Sequence, residues 1–211
     1  MNYVDRHQAG LILADSLKSY SHRNDVIVLA LPRGGVPVAY EIAKKLSLLF
    51  DIFIVRKLGV PGHKELAMGA IASGGVVVFN ENIVDALNIN KEAIDKILQS
   101  EQEELQRREY VYRGNKPFPD LTGKTIILVD DGIATGYTMR AAIKSLQEKN
   151  PAEIILAIPV AARSTCKELA PLVKKIICPF HPANFYAVGL WYNDFSQTTD
   201  DEVIQLLNRI N

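Results

Sequence analysis

Short runs of β-branched and aliphatic residues recur along this chain with helical patterns between them, and that alternation constrains the fold more than any other feature of the sequence. Val26 to Leu31, Ile52 to Val55, Thr125 to Val129 and Ile154 to Val160 read as buried strands, with Lys174 to Cys178 as a fifth. Val38, Ile42 and Leu46 keep helical spacing after the first run, and Met139, Ala142, Ile143 and Leu146 do so after the third. Parallel strands need a crossover, usually a helix, so the pattern predicts an α/β fold, a parallel sheet of about five strands flanked by helices. Ala9, Leu13, Leu17 and Tyr20 add an N-terminal helix whose expected role is packing. Gly74-Gly75, between apolar runs in Ala67 to Phe79, suits a tight hairpin. From Asn90 to Arg113, Ile94, Ile97, Leu98 and Leu105 make one apolar stripe among many charges, which predicts a long, partly solvated helix. Its charged faces suit solvent or a homodimer contact.

With 211 residues, 48% of them hydrophobic, the chain can bury a sizeable core, and it is expected to form one domain over 1–211. Lysine plus arginine balances aspartate plus glutamate at 24 each, so no net field favours nucleic acid or a membrane surface, and neither is an expected partner. The opening residues lack a basic start and an apolar run, which predicts a cytoplasmic location. Cys166 and Cys178 have no CxxC spacing and read as free thiols. His7, His22, His63 and His181 show no metal-ligand spacing.

The chemistry concentrates after the Thr125–Val129 run, in Asp130-Asp131-Gly132-Ile133-Ala134-Thr135-Gly136-Tyr137-Thr138. Ligands in open α/β sheets bind beyond the carboxyl ends of strands. Backbone amides where a helix begins attract a phosphate dianion, and Thr135 and Thr138 can add hydroxyl donors. Asp130 and Asp131 can accept hydrogen bonds from the vicinal hydroxyls of a ribose. Each piece also has a plainer reading, an N-cap aspartate or a threonine-glycine turn. Neither GxxxxGK[ST] nor GxGxxG occurs, so a P-loop or dinucleotide fold lacks its phosphate motif.

This segment resembles the phosphoribosyl pyrophosphate signature of type I phosphoribosyltransferases, in which a strand, two acidic residues and a threonine-glycine loop hold ribose 5-phosphate. The resemblance implies a Rossmann-like parallel sheet with a small hood subdomain, a core over about 1–178, a helical insertion over 82–115 and a hood over 179–211. Pro32-Arg33-Gly34-Gly35 occupies the place of the family's pyrophosphate loop, which implies a cis peptide between Pro32 and Arg33. Val55 to Gly69 is similar to the catalytic loop of adenine phosphoribosyltransferases; its glycines suit a lid, and Arg56 and Lys57 are its expected catalytic members. Phe180 to Phe195 resembles the hood of hypoxanthine-guanine phosphoribosyltransferases. Tyr186, with Phe185 as its alternate, takes the base-stacking place there, and Asn193 or Asp194 the polar place near magnesium.

The implied enzyme is a pentosyltransferase of nucleoside metabolism that uses magnesium and phosphoribosyl pyrophosphate and releases pyrophosphate, with Arg33, Arg56, Lys57, Asp130 and Asp131 as its catalytic set. Purine-specific members carry an aspartate where Ala134 stands and a lysine before the stacking ring, so the acceptor base stays open. The overall organisation is closer to a bacterial group of phosphoribosyltransferases with no named acceptor. An alternative is a regulator that senses phosphoribosyl pyrophosphate or a nucleotide without catalysis. A magnesium-dependent hydrolase of a phosphorylated sugar would need a positioned nucleophile or base, which the sequence does not offer.

Overall fold

The computed structural model describes residues 2–210. Its elements run α1 (Arg6–Ser16), β1 (Val26–Ala30), α2 (Gly35–Leu46), β2 (Leu49–Ile52), β3 (Val55–Val60), β4 (His63–Ala72), β5 (Val76–Phe79), α3 (Glu81–Ala86), α4 (Lys91–Arg113), β6 (Thr125–Val129), α5 (Tyr137–Gln147), β7 (Glu153–Ala157), α6 (Arg163–Leu169), β8 (Lys175–Ile177) and α7 (Asp200–Asn208). The chain divides into two compact units. One comprises the residues up to Phe53, Leu121–Gly136 and the chain from Asn150 onward; the other comprises Ile54–Asp120 and Tyr137–Lys149.

The first unit is built on a five-stranded sheet in the order β2-β1-β6-β7-β8, with every pairing parallel. This is the α/β architecture that the alternation predicts. All residues of β1 and β6 are buried, the signature of strands covered on both faces. Their register runs from Val26 opposite Thr125 to Ala30 opposite Val129, so the two strands end level. The order also reverses here, since the chain steps from β1 to the edge strand β2 and later returns to β6 on the other side. Such a switch point opens a crevice beyond the strand ends, where open α/β sheets bind ligands. α2 turns Val36, Val38, Ala39, Ile42, Ala43 and Leu46 inward and packs against β1, α1 and α7. Residues 179–210 lie in this same unit.

The second unit carries a three-stranded antiparallel sheet, β3-β4-β5. Its β4–β5 connection is Ser73-Gly74-Gly75, and both glycines take φ of +76°, a conformation that costs a side-chain-bearing residue. The expected hairpin is therefore present. α4 packs on β3 and β4, and α5 on all three strands. Of the residues in α4, Leu105 is the buried one, in keeping with the expected solvated helix. Asn90 caps it by accepting from the Ala93 N–H at 2.8 Å.

Two expectations are corrected. The second parallel strand is Leu49–Ile52, not Ile52–Val55. It is an edge strand with Leu49 exposed and Asp51 part-buried, so it never presents the continuous apolar run of an interior strand. The stretch from Val55 to Gly69, expected as a glycine-bearing lid loop, is mostly strand. β3 and β4 pair from Val55 opposite Ala72 to Val60 opposite His63, with register shifts on both sides of Gly59. Its glycines thus mark an irregular ladder and a tight tip at Gly62, whose φ is +76°. Both cysteines are free thiols. Among the described residues, no helix is long and apolar enough to cross a membrane.

Replacing the cap residue, Asn90→Ala, is expected to lower stability by about 1 kcal/mol. A urea titration followed by circular dichroism measures this, and an unchanged midpoint would show that the Asn90 side chain does not hold the start of α4.

Candidate functional site

Two loops leave the level ends of β1 and β6. The first, Pro32-Arg33-Gly34-Gly35, contains a cis peptide bond between Pro32 and Arg33, as the resemblance implies. Leu31 N–H donates to Val129 O at 2.9 Å and binds the start of this loop to the end of the neighbouring strand. Close approach explains both glycines. A Cβ on Gly34 would stand 2.0 Å from Asp131 Oδ2, and one on Gly35 would stand 2.8 Å from Val129 O. Among the described residues, the N–H groups of Arg33 and Gly34 have no acceptor. The Arg33 guanidinium is part-exposed, 3.6 Å from Asp200 Oδ1.

The second loop, Asp130 to Gly136, is anchored mainly by its carbonyl groups. Tyr192 Oη donates to Asp131 O at 2.6 Å, Ala162 N–H to Ile133 O at 3.1 Å, and Thr165 Oγ1 to Ala134 O at 2.6 Å. Two amides are also used, Ile133 N–H donating to Val160 O at 2.9 Å and Asp131 N–H donating to Asp130 Oδ1 at 2.8 Å. The N–H groups of Gly132, Ala134, Thr135 and Gly136 have no acceptor among the described residues, and Ala134 and Thr135 are exposed. A loop held by its acceptors with its donors left over keeps backbone N–H groups available, the donor set from which anion-binding concavities are made. Gly136, at φ +75°, packs against Thr165, and the chain then enters α5 with Tyr137 and Thr138 exposed.

Asp130 and Asp131 start this loop. Asp130 Oδ1 accepts from the Asp131 N–H at 2.8 Å, and Asp131 Oδ2 accepts from Arg6 Nε at 2.8 Å. One oxygen on each, Asp130 Oδ2 and Asp131 Oδ1, has no donor among the described residues. Burial raises the pKa of Asp130 well above the usual carboxylate range, and the charge of Asp131 pushes it the same way. Burial also raises that of Asp131, with Arg6 pulling against it. The pair is thus short of positive charge, the condition a cationic or hydrogen-donating ligand relieves.

The other expected residues fall in different surroundings. Phe185 packs on an aromatic cluster around Tyr3 and Tyr192, whereas Tyr186 is 84% exposed and free to meet a ring. Asp194 is exposed; its Oδ1 accepts from the Ser196 N–H at 2.9 Å, which lowers its pKa. In the second unit, Arg56 pairs with Glu101 and reaches Glu104 at 3.9 Å. Arg107 and Arg108 already hold the Glu104 carboxyl down to about 2, so Glu101 is the main partner of Arg56. Lys57 is exposed on β3 opposite Ala70.

Sequence reasoning missed Arg6, Thr165 and Tyr192. For Arg6 a signal existed: it stands in the first turn of α1, which has no acidic residue, at the end of the helix dipole that disfavours a cation.

The parallel sheet and its switch point fit the phosphoribosyl transferase class of fold. The chain matches the phosphoribosyl transferase domain over residues 3–188 and belongs to that family. A crystal structure of a Thermus thermophilus protein superposes with a TM-score of 0.88 at 33% identity, covering 99% of each chain. Proteins from two Mycobacterium tuberculosis strains, named only provisionally as phosphoribosyl transferases, are 42% identical over 207 residues. The match covers 98% of this chain but 46% of theirs, so the chain spans about half the length of these curated relatives. The bifunctional protein PyrR of Listeria monocytogenes is 32% identical over 139 residues, covering 61% of this chain and 68% of its own.

The raised pKa of Asp130 has a consequence for stability. An acid whose pKa rises on folding binds its proton more tightly in the native state, so ionising it costs stability as pH climbs above the unfolded carboxylate range. Asp130→Asn is therefore expected to raise the Tm at pH 7, with the gain vanishing toward about pH 4. Thermal melts across that range check it, and a gain independent of pH would assign the effect to something other than ionisation.

Proposed function

We propose that this protein transfers ribose 5-phosphate from phosphoribosyl pyrophosphate to a nitrogenous base, releasing pyrophosphate. One observation carries the reading: among the described residues, four amides without acceptors stand in the same short loop as two carboxylates that each keep one oxygen without a donor. The amides suit the 5-phosphate, and the two oxygens suit the two hydroxyls of a vicinal diol, one to each acid. Arg33 and the N–H groups of Arg33 and Gly34 suit the pyrophosphate.

In the reaction the acceptor nitrogen forms a bond to C1 of the ribose as the bond from C1 to the pyrophosphate oxygen breaks. Positive charge gathers on the ring and negative charge on the leaving group, so charge placement dominates catalysis. Arg33 faces the negative charge. Asp130 and Asp131 hold the diol and lie near the positive ring. Magnesium keeps water and substrate oxygens in its shell, so it needs no closed protein cage. Asp130, Asp131 and Asp194 are the carboxylates that would hold it, through water or directly, and the ion would neutralise charge on pyrophosphate. Tyr186, exposed beyond the aromatic cluster, is the ring on which the base would stack. With Ala134 in place of an aspartate, the site lacks one proton partner for a purine, so the base panel must extend beyond purines.

The test is pyrophosphate release on incubation with magnesium, phosphoribosyl pyrophosphate and a panel of purine, pyrimidine and pyridine bases. Release with one base is expected, and Arg33→Ala should cut it by about 100-fold. Tight binding of phosphoribosyl pyrophosphate without release from any base would favour a sensor on the same fold. Failure to bind it would refute the reading.

A further inference from the structure

Arg6 approaches the acidic pair from the N-terminal helix and is 11% exposed in its side chain. Its Nε donates to Asp131 Oδ2 at 2.8 Å, its Nη1 donates to Ser196 O at 2.7 Å, and its guanidinium carbon lies 3.9 Å from the centroid of the Phe195 ring. The segment that carries it is itself fixed. Tyr3 N–H donates to Trp191 O at 2.9 Å, Asn193 N–H to Tyr3 O at 2.8 Å, and Asp194 N–H to Val4 O at 2.9 Å. Gly34 also lies close to this oxygen, since a Cβ there would fall 2.0 Å from Asp131 Oδ2. The oxygen thus has both the Arg6 guanidinium and the Gly34 backbone as close neighbours.

We propose that Arg6 is a positioning residue for sugar recognition, clamping Asp131 through Oδ2 so that Oδ1 is reserved for a ribose hydroxyl. This rests on the pentose-phosphate reading above. Three features separate the clamp from an ordinary surface ion pair. The partner is one of two adjacent acids at the switch point, the pair is largely buried, and the arginine sits where its own helix disfavours a cation. The geometry also asks for arginine in particular. A planar group that donates in two directions while lying on a ring can hold Asp131, Ser196 and Phe195 together, which the point charge of lysine cannot do.

The test compares two probes, ribose 5-phosphate and inorganic phosphate, titrated by calorimetry into wild-type protein, Arg6→Met and Arg6→Lys. Arg6→Met is expected to weaken ribose 5-phosphate by about tenfold or more while inorganic phosphate changes by less than about twofold. Arg6→Lys, which restores the charge without the full geometry, should give a smaller loss confined to the sugar probe. Should Arg6→Met fail to fold, as melting would reveal, Arg6→Lys carries the same comparison. Equal losses for both probes, or no loss for either, would overturn the clamp while leaving the pentose-phosphate reading intact. Wild-type protein that binds phosphate but gains nothing from the ribose would overturn both.

Discussion

Two adjacent carboxylates cannot be carried into a half-buried crevice without something to offset their repulsion and lost hydration, and the first unit is organised around that problem. The offset within the chain is partial. Arg6 supplies one cation, the Asp131 N–H supplies one donor to Asp130, and the carboxyls are still harder to ionise than in water. A fold under selection for stability alone would replace such a pair with apolar side chains. Its presence at the end of a fully buried strand is best understood as a cost carried for a ligand that completes the missing hydrogen bonds.

The neighbouring amides pose the opposite problem. Unpaired N–H groups usually find a carbonyl, yet here the nearby carbonyls of Asp131, Ile133 and Ala134 are already occupied by Tyr192, the Ala162 backbone and Thr165. Those three bonds fix the loop from behind and keep its donors unspent. Preorganisation of this kind lowers the ordering cost of binding an anion, because the loop need not be assembled by the ligand. The glycines serve the same end by permitting backbone to pass where a side chain would collide, as at Gly132, whose Cβ would fall 2.4 Å from Val188.

How far this could be read in advance follows from the range of the interactions. β1 and β6 were legible because interior parallel strands are apolar at every position, and the Asp130–Gly136 loop stood out because it is a contiguous segment with a distinctive composition. α4 showed itself through one apolar stripe on a charged helix. β2 was hidden by its edge position, which lets Leu49 face solvent and places Asp51 within the strand. The β3–β4 hairpin was hidden because glycine and basic residues look alike in an irregular ladder and in a loop. The contacts of Arg6, Tyr192 and Thr165 join residues 125, 61 and 31 positions from their partners, and no local pattern encodes such pairings.

Arg6 also shows why a packing role and a site role are not alternatives. α1 does pack, with Ala9, Leu13 and Ala14 buried and α2 against it. That packing is what gives the first turn a fixed place, and a fixed place is what lets a long, flexible side chain act at a defined oxygen. Arginine loses considerable rotamer freedom when it is immobilised, a cost offset here by the Phe195 ring beneath it and Ser196 O beside it. The helix therefore acts on Asp131 through its rigidity, and the aromatic cluster of Tyr3, Tyr192 and Phe195 ties both the helix and the Asp130–Gly136 loop to one support. A substitution that loosens this cluster would reach Asp131 from two directions at once, through the Tyr192 hydroxyl on its carbonyl and through Arg6 on its carboxylate.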